Sequence, residues 1–214
     1  MKSILFDLDG TLCDTLPDIT NSINRVLTAR GYAPHSREAV SAMVGHSAAY
    51  MVKAAAPQAS EEELAEILAA YFADYALHLA DDTRPYAGMT ETLQALAVRG
   101  HKLAIVTNKP HTHAVRLVQA IFPPHGNIFT QVQGQTHKFP TKPRPESLYF
   151  VMQTLNISAE DAVYIGDSEV DAAFAKNAGI PFVGCAWGFR GRDVLLAAGA
   201  EVIIDRPEEL LTVL

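Results

Sequence analysis

The segment Leu5-Phe6-Asp7-Leu8-Asp9-Gly10-Thr11 sets two carboxylates two positions apart at the end of a short apolar run. On an extended strand such residues share a facing, so Asp7 and Asp9 stand side by side. Burying them together is costly unless a cation or a shared proton compensates, and Gly10 lets the backbone turn beside a phosphate group. A solvated D-x-D-G turn would carry the same letters, so the motif needs support from elsewhere in the chain.

Three further groups supply it. Val106-Thr107-Asn108-Lys109 offers hydroxyl and amide donors after a second apolar run, although a turn with a helix cap would read alike. Lys142-Pro143 follows a Pro-rich loop, where a lysine is commonly just solvated. Tyr164-Ile165-Gly166-Asp167-Ser168-Glu169-Val170-Asp171 ends a third run with Asp167, and Asp171 lies one helical turn further on, able to face the same point. Asp and Ser there also suit a helix N-terminus.

These groups must be held by a parallel sheet. Short β-branched runs at Ser3–Leu8, Lys102–Thr107, Ala162–Gly166, Pro181–Cys185 and Glu201–Ile204 alternate with amphipathic stretches at Thr90–Arg99, His111–Ile121, Pro145–Leu155, Val170–Ala178, Asp193–Ala198 and Pro207–Leu214. Gly100, Gly179 and Gly199 follow helical patterns as stop signals. In such sheets ligands bind outside the carboxyl ends of the strands, where the acidic groups fall. Between about Asp14 and Arg84 no strand is predicted. Helices are expected there at Pro17–Arg30, Arg37–Val44, Ser47–Ala55 and Glu61–Leu79, with Ser60 and Glu63 at capping-box spacing and 81–85 as the return linker. The fold class is therefore α/β, a Rossmann-like parallel-sheet core with an inserted all-α unit.

Composition narrows the chemistry. A chain of 214 residues with 49% apolar content can bury a sizeable core. Its net charge of −7 argues against nucleic-acid binding, so an anionic small-molecule partner would be met by a metal ion and a few lysines. Cys13 and Cys185 show neither disulfide nor zinc spacing. The four residues Ser3–Phe6 are too short for a signal-peptide core, and no run reaches membrane-spanning length, so a cytoplasmic protein without membrane partners is expected. Oligomeric state is left open.

In order and combination the four groups resemble the motifs of the haloacid dehalogenase-like hydrolase superfamily: D-x-D-G-T, a strand-end Thr or Ser, a Lys, and G-D-x-x-x-D. The likeness covers 1–13 and 85–214 as the core, and the helical segment 14–84 is similar to that superfamily's C1-type cap. Asp7 to Asp18, with Gly166 to Asp171 and Ala178-Gly179-Ile180-Pro181, looks most like the phosphoglycolate phosphatase-like branch. The resemblance implies Mg²⁺ held by the Asp7 and Asp167 side chains and the Asp9 carbonyl, with Asp171 orienting metal-bound water. Asp7 would attack phosphorus, and Asp9 would act as general acid and then base. Thr107 and Asn108 would hold phosphoryl oxygens beside Gly10 and Thr11, and Lys142 would offset the negative charge.

Asp9 favours phosphatase or phosphomutase chemistry, and Thr11 leans towards the phosphatase. A phospho-acceptor signalling domain and a non-catalytic binding module are the alternatives of another class, but an acceptor Asp normally follows a later strand. The substrate is expected to be a small phosphorylated metabolite. The segment 123–141 lacks the acidic loop expected before the lysine, and Lys138 within it rivals Lys142. His111 and His113, two apart on a helix, point away from each other. Trp187 is read as packing, and Gly45-His46-Ser47 as a helix connection able to face the site.

Overall fold

The computed structural model describes residues 2–122 and 128–214. Its elements are β1 (Ser3–Phe6), β2 (Cys13–Asp14), α1 (Leu16–Thr28), α2 (Arg37–Met43), α3 (Ala48–Ala55), α4 (Glu61–His78), β3 (Arg84–Pro85), α5 (Met89–Val98), β4 (Lys102–Pro110) and α6 (His111–Ile121). There follow β5 (Phe129–Gln135), α7 (Glu146–Thr154), β6 (Ala162–Gly166), α8 (Glu169–Ala178), β7 (Phe182–Cys185), α9 (Gly191–Ala197), β8 (Val202–Ile204) and α10 (Leu210–Val213).

Six strands form one parallel sheet in the order β5-β4-β1-β6-β7-β8. From β1 the chain builds outward through β4 and β5, then returns to lay β6 on the other side. Strand order therefore reverses at the β1/β6 boundary, where an open α/β sheet leaves a crevice at its carboxyl edge. The pairing runs one residue past β1: Asp7 N donates to Ile165 O at 2.9 Å, which sets Asp7 beside the end of β6.

Alternation along the strands divides the core. Ile4, Phe6, Leu103, Ile105, Val163 and Ile165 join one apolar cluster with Leu93, Leu96, Ala114 and Leu117 of α5 and α6. Leu5, Ala104, Val106 and Tyr164 join another with Leu148 and Val151 of α7 and Phe174 and Ala175 of α8. Because both faces are covered, these strands read as continuous hydrophobic runs.

Strand β5 was not expected from the sequence. Its Gln131, Gln133 and Gln135 give no apolar run, because it lies at the sheet edge and pairs with β4 alone. Strand β4 continues to Pro110, three residues past its predicted end. The helix expected over Pro207–Leu214 starts as a 3-10 turn, Pro207–Glu209, before α10.

Helices α1 to α4 lie between β2 and β3, which pair antiparallel through Cys13/Pro85 and Asp14/Arg84, so the chain leaves and returns at one point. Ser36, Ser47 and Ser60 cap α2, α3 and α4 by accepting from Ala39 N, Tyr50 N and Glu63 N. Ile23, Leu27, Val40, Val52, Ile67 and Tyr71 bury the inner faces of these helices. Asp18 on α1 is also buried, and its carboxylate accepts from Asp82 N, Thr83 N at 2.8 Å and Thr83 Oγ1 at 2.7 Å. It ties the start of α1 to the returning segment. Asp18→Ala would leave those donors unpaired, and a loss of about 3 kcal/mol is expected in urea unfolding.

Candidate active site

Asp7, Asp167 and Asp171 converge at the β1/β6 crevice, each offering a carboxylate oxygen within 4.8 Å of the others. All three are buried. Lys142, equally buried, places Nζ 2.6 Å from Asp171 Oδ1 and 3.0 Å from Asp7 Oδ1. The second contact is an ion pair off hydrogen-bond alignment, so Asp7 Oδ1 accepts no hydrogen bond among the described residues. Nζ also donates to Tyr164 Oη at 3.1 Å, and that hydroxyl donates to Val106 O. Lys138 is exposed, so the structure brings Lys142 and not its rival to the cluster.

Local sequence explains how each carboxylate is aimed. Ser168 and Asp171 form a capping box at the start of α8, and Asp171 Oδ2 accepts from Asp167 N, Ser168 N and Ser168 Oγ. With Lys142 on its other oxygen, Asp171 is saturated with donors and rigidly held. Asp167 is fixed from two sides: Thr11 Oγ1 donates to Oδ1 at 3.1 Å, and Phe189 N to Oδ2 at 2.7 Å. Gly10, at φ +82°, lies so close that a Cβ there would come within 2.8 Å of Asp167 Cγ. Trp187 Nε1 donates to Thr11 O, which anchors the turn from behind.

Across the crevice Thr107 and Asn108, both buried, close the wall formed by β4. Asn108 Oδ1 accepts from Lys142 N at 2.8 Å, while its Nδ2 donates to Gly45 O, so it links the core to the α2–α3 connection. Arg190 makes a second link, donating to Ser41 O and Val44 O near the end of α2. Asp9 does not join the three clustered carboxylates. Its Oδ1 accepts from Lys109 Nζ at 2.9 Å, beside a cavity between the sheet edge and the helices. Gly45, His46 and Ser47 line that cavity.

The haloacid dehalogenase-like hydrolase family model matches residues 4–185. The chain belongs to that family. Over 98% of its length it is 32% identical to the phosphoglycolate phosphatase of Pseudomonas putida, covering 78% of that protein, and over 88% it is 36% identical to the phosphoglycolate phosphatase of Rhodobacter capsulatus, covering 85%. The crystal structure of a predicted phosphoglycolate phosphatase from Haemophilus somnus superposes with a TM-score of 0.91 at 28% identity, over 100% of this chain and 97% of that one. Membership of a hydrolase family sets aside the phospho-acceptor alternative.

Sequence reasoning gave Lys109 no role in this hydrolase, although it stands next to Thr107 and Asn108. Nothing in local spacing links it to Asp9, 100 residues away, or to Tyr75 on α4. Tyr164 and Phe189 were missed for the same reason, since each acts through a contact that only the fold creates.

Burial raises the Asp7 pKa to about 6, with Asp171 and Asp9 adding to the rise and Lys142 and the Thr107 hydroxyl opposing it. Burial likewise pushes Asp167 well above the usual carboxylate range, reinforced by Asp171 and Asp7. Lys142 stays firmly protonated despite its burial, because Asp171 and Asp7 flank it. The folded chain thus binds the Asp7 proton more tightly than the unfolded chain. That stabilisation is full below the unfolded pKa of 3.8 and is lost as pH rises through about 6. In EDTA, the thermal midpoint of the wild type is expected to rise between pH 7 and pH 5.5 relative to that of Asp7→Asn, whose side chain does not titrate. Parallel pH profiles for the two proteins would contradict the assignment.

Proposed function

We propose that this hydrolase is a Mg²⁺-dependent phosphatase acting on a small phosphate monoester, phosphoglycolate or a close analogue, through a phosphoryl-enzyme on Asp7. The observation that carries the reading is the buried cluster of three carboxylates against one lysine. Its charge is uncompensated, and one Asp7 oxygen lacks a hydrogen-bond partner among the described residues. Such a cluster is costly without a cation. An all-oxygen donor set fits Mg²⁺, with Asp7 and Asp167 supplying carboxylates and Asp9 its backbone carbonyl. When bound, the ion would screen the charge between a phosphate dianion and a carboxylate nucleophile. Asp171, already saturated, suits the holding of Lys142 and of the turn at Asp167 and Ser168 better than direct ligation.

The chemistry follows from the side chains. Asp7 attacks phosphorus, the bond to the leaving oxygen breaks, and Asp9 delivers a proton to that oxygen. Asp9 then takes a proton from the water that attacks the phosphoryl group on Asp7, releasing phosphate and restoring the Asp7 carboxylate and the Asp9 carboxylic acid. Thr107, Asn108 and Lys142 meet the phosphoryl oxygens, while Gly10 and Thr11 shape the turn that admits them. In this reading residues 1–13 and 85–214 form the core and 14–84 a helical cap that encloses the alcohol end of the substrate and excludes water. The identity with relatives named phosphoglycolate phosphatases supports the substrate class.

Asp7→Asn is expected to abolish phosphate release from phosphoglycolate in a colorimetric assay while the circular dichroism spectrum is kept. Asp9→Asn should slow turnover about 10²- to 10⁴-fold, the usual worth of a general acid/base, without changing the Mg²⁺ concentration for half-maximal rate. Asp167→Asn should raise that concentration. Equal metal dependence of the two variants would reverse their roles.

A further inference from the structure

The far wall of the cavity carries polar groups that the mechanism above does not use. Tyr75, Lys109 and His113 are 1%, 6% and 8% exposed, and all three line it. Lys109 Nζ donates to Asp9 Oδ1 at 2.9 Å and to Tyr75 Oη at 2.7 Å, and it sits 4.5 Å from the centre of the Tyr75 ring. An ammonium has three N–H groups, so one is left. The Tyr75 hydroxyl accepts from Lys109, and its own hydrogen has no acceptor among the described residues. His113 Nδ1 is buried without a partner among them. The imidazole is wedged beside the rings of Phe72 and Tyr75. Burial, with Lys109 and Arg116 nearby, holds its pKa down at about 4, so it is neutral near pH 7 and can donate an N–H.

An unsatisfied buried polar group is expensive, and here His113 Nδ1, a donor in the tautomer that carries its proton there, lies beside a spare Lys109 N–H and the Tyr75 hydroxyl hydrogen. Much of the remaining wall, including Ile19, Val44 and Met51, is apolar. A negatively charged group would satisfy all three at once, its charge met by Lys109. The donors stand next to Asp9, hence next to the oxygen that leaves phosphorus. The group they await is thus carried close to that oxygen on the alcohol.

We propose that Lys109, Tyr75 and His113 form the specificity site of this phosphatase, seating the carboxylate of a short phosphorylated hydroxy acid, with Lys109 as the discriminating residue. The proposal rests on the phosphatase reading and adds what selects its substrate. Tyr75 comes from α4 and the other two from the β4–α6 junction, so the seat is complete only with the helices over the core. Lys109 thereby touches both the acid/base residue and the substrate's charge.

The test is the ratio of kcat/KM for 2-phosphoglycolate to that for 2-hydroxyethyl phosphate, an ester of like length without the carboxylate, measured on the full chain with Mg²⁺. A ratio cancels any common effect through Asp9. The wild type is expected to favour the carboxylate at least about 100-fold, a difference of about 2.7 kcal/mol. Lys109→Met should bring the ratio near one, mainly through the KM for phosphoglycolate. Tyr75→Phe, which removes one oxygen and keeps the ring, should cut the ratio about tenfold and decides the matter if Lys109→Met does not fold. A wild-type ratio near one, or variants that lower both esters equally, would overturn the specificity site while leaving the phosphatase reading intact. Failure of the wild type to hydrolyse any phosphate monoester would instead overturn that reading and the site with it.

Discussion

Asp7, Asp167 and Asp171 share a buried space in which like charges repel and water cannot screen them, and the architecture around the β1/β6 crevice answers that repulsion. Lys142 supplies a single positive charge between Asp7 and Asp171. Backbone and hydroxyl donors from Thr11, Ser168 and Phe189 supply partial ones. Gly10 is small enough to pass beside Asp167. Breaking a buried pair typically costs about 3–5 kcal/mol, because the remaining charge cannot return to water. The cluster is thus held by the surrounding fold, at a cost in stability.

The sheet and helices α1 to α4 contribute different physics. The sheet edge brings charge and donors, because six parallel strands point their carboxyl ends one way. The helices bring an apolar roof, with Ile19, Met51 and Tyr71 facing the cavity. Asn108 and Arg190 join them through backbone carbonyls at the end of α2 and just beyond it. A low-dielectric roof over a charged floor strengthens each electrostatic contact beneath it. Lys109 spans the boundary, bonded to Asp9 on one side and Tyr75 on the other.

Much of the sheet was legible because buried parallel strands leave uninterrupted β-branched runs. Ala162–Gly166 matches its predicted bounds, and α6 does as well. Edge strand β5 was not legible, because a strand paired on one side can be held by backbone bonds while its side chains stay polar. The conversion of the final helix into a 3-10 turn plus α10 reflects end effects that a periodic pattern does not encode.

The sequence by itself determined which residue types were present for phosphoryl chemistry, and their order along the chain. Asp7, Asp9, Thr107, Asp167 and Asp171 each sit at a predicted strand end or in the turn or helix that follows, and the strand ends of a parallel sheet meet at one edge. It also set apart the helical stretch 14–84, since strand and helix periodicities differ within a few residues. Only the tertiary structure decided which lysine reaches the carboxylates, that Asp9 faces Lys109 and not the cluster, and which side chains roof the cavity. Those contacts join residues 29, 34 and 100 positions apart. Such contacts are set by packing and charge compensation, which leave no local period in the chain.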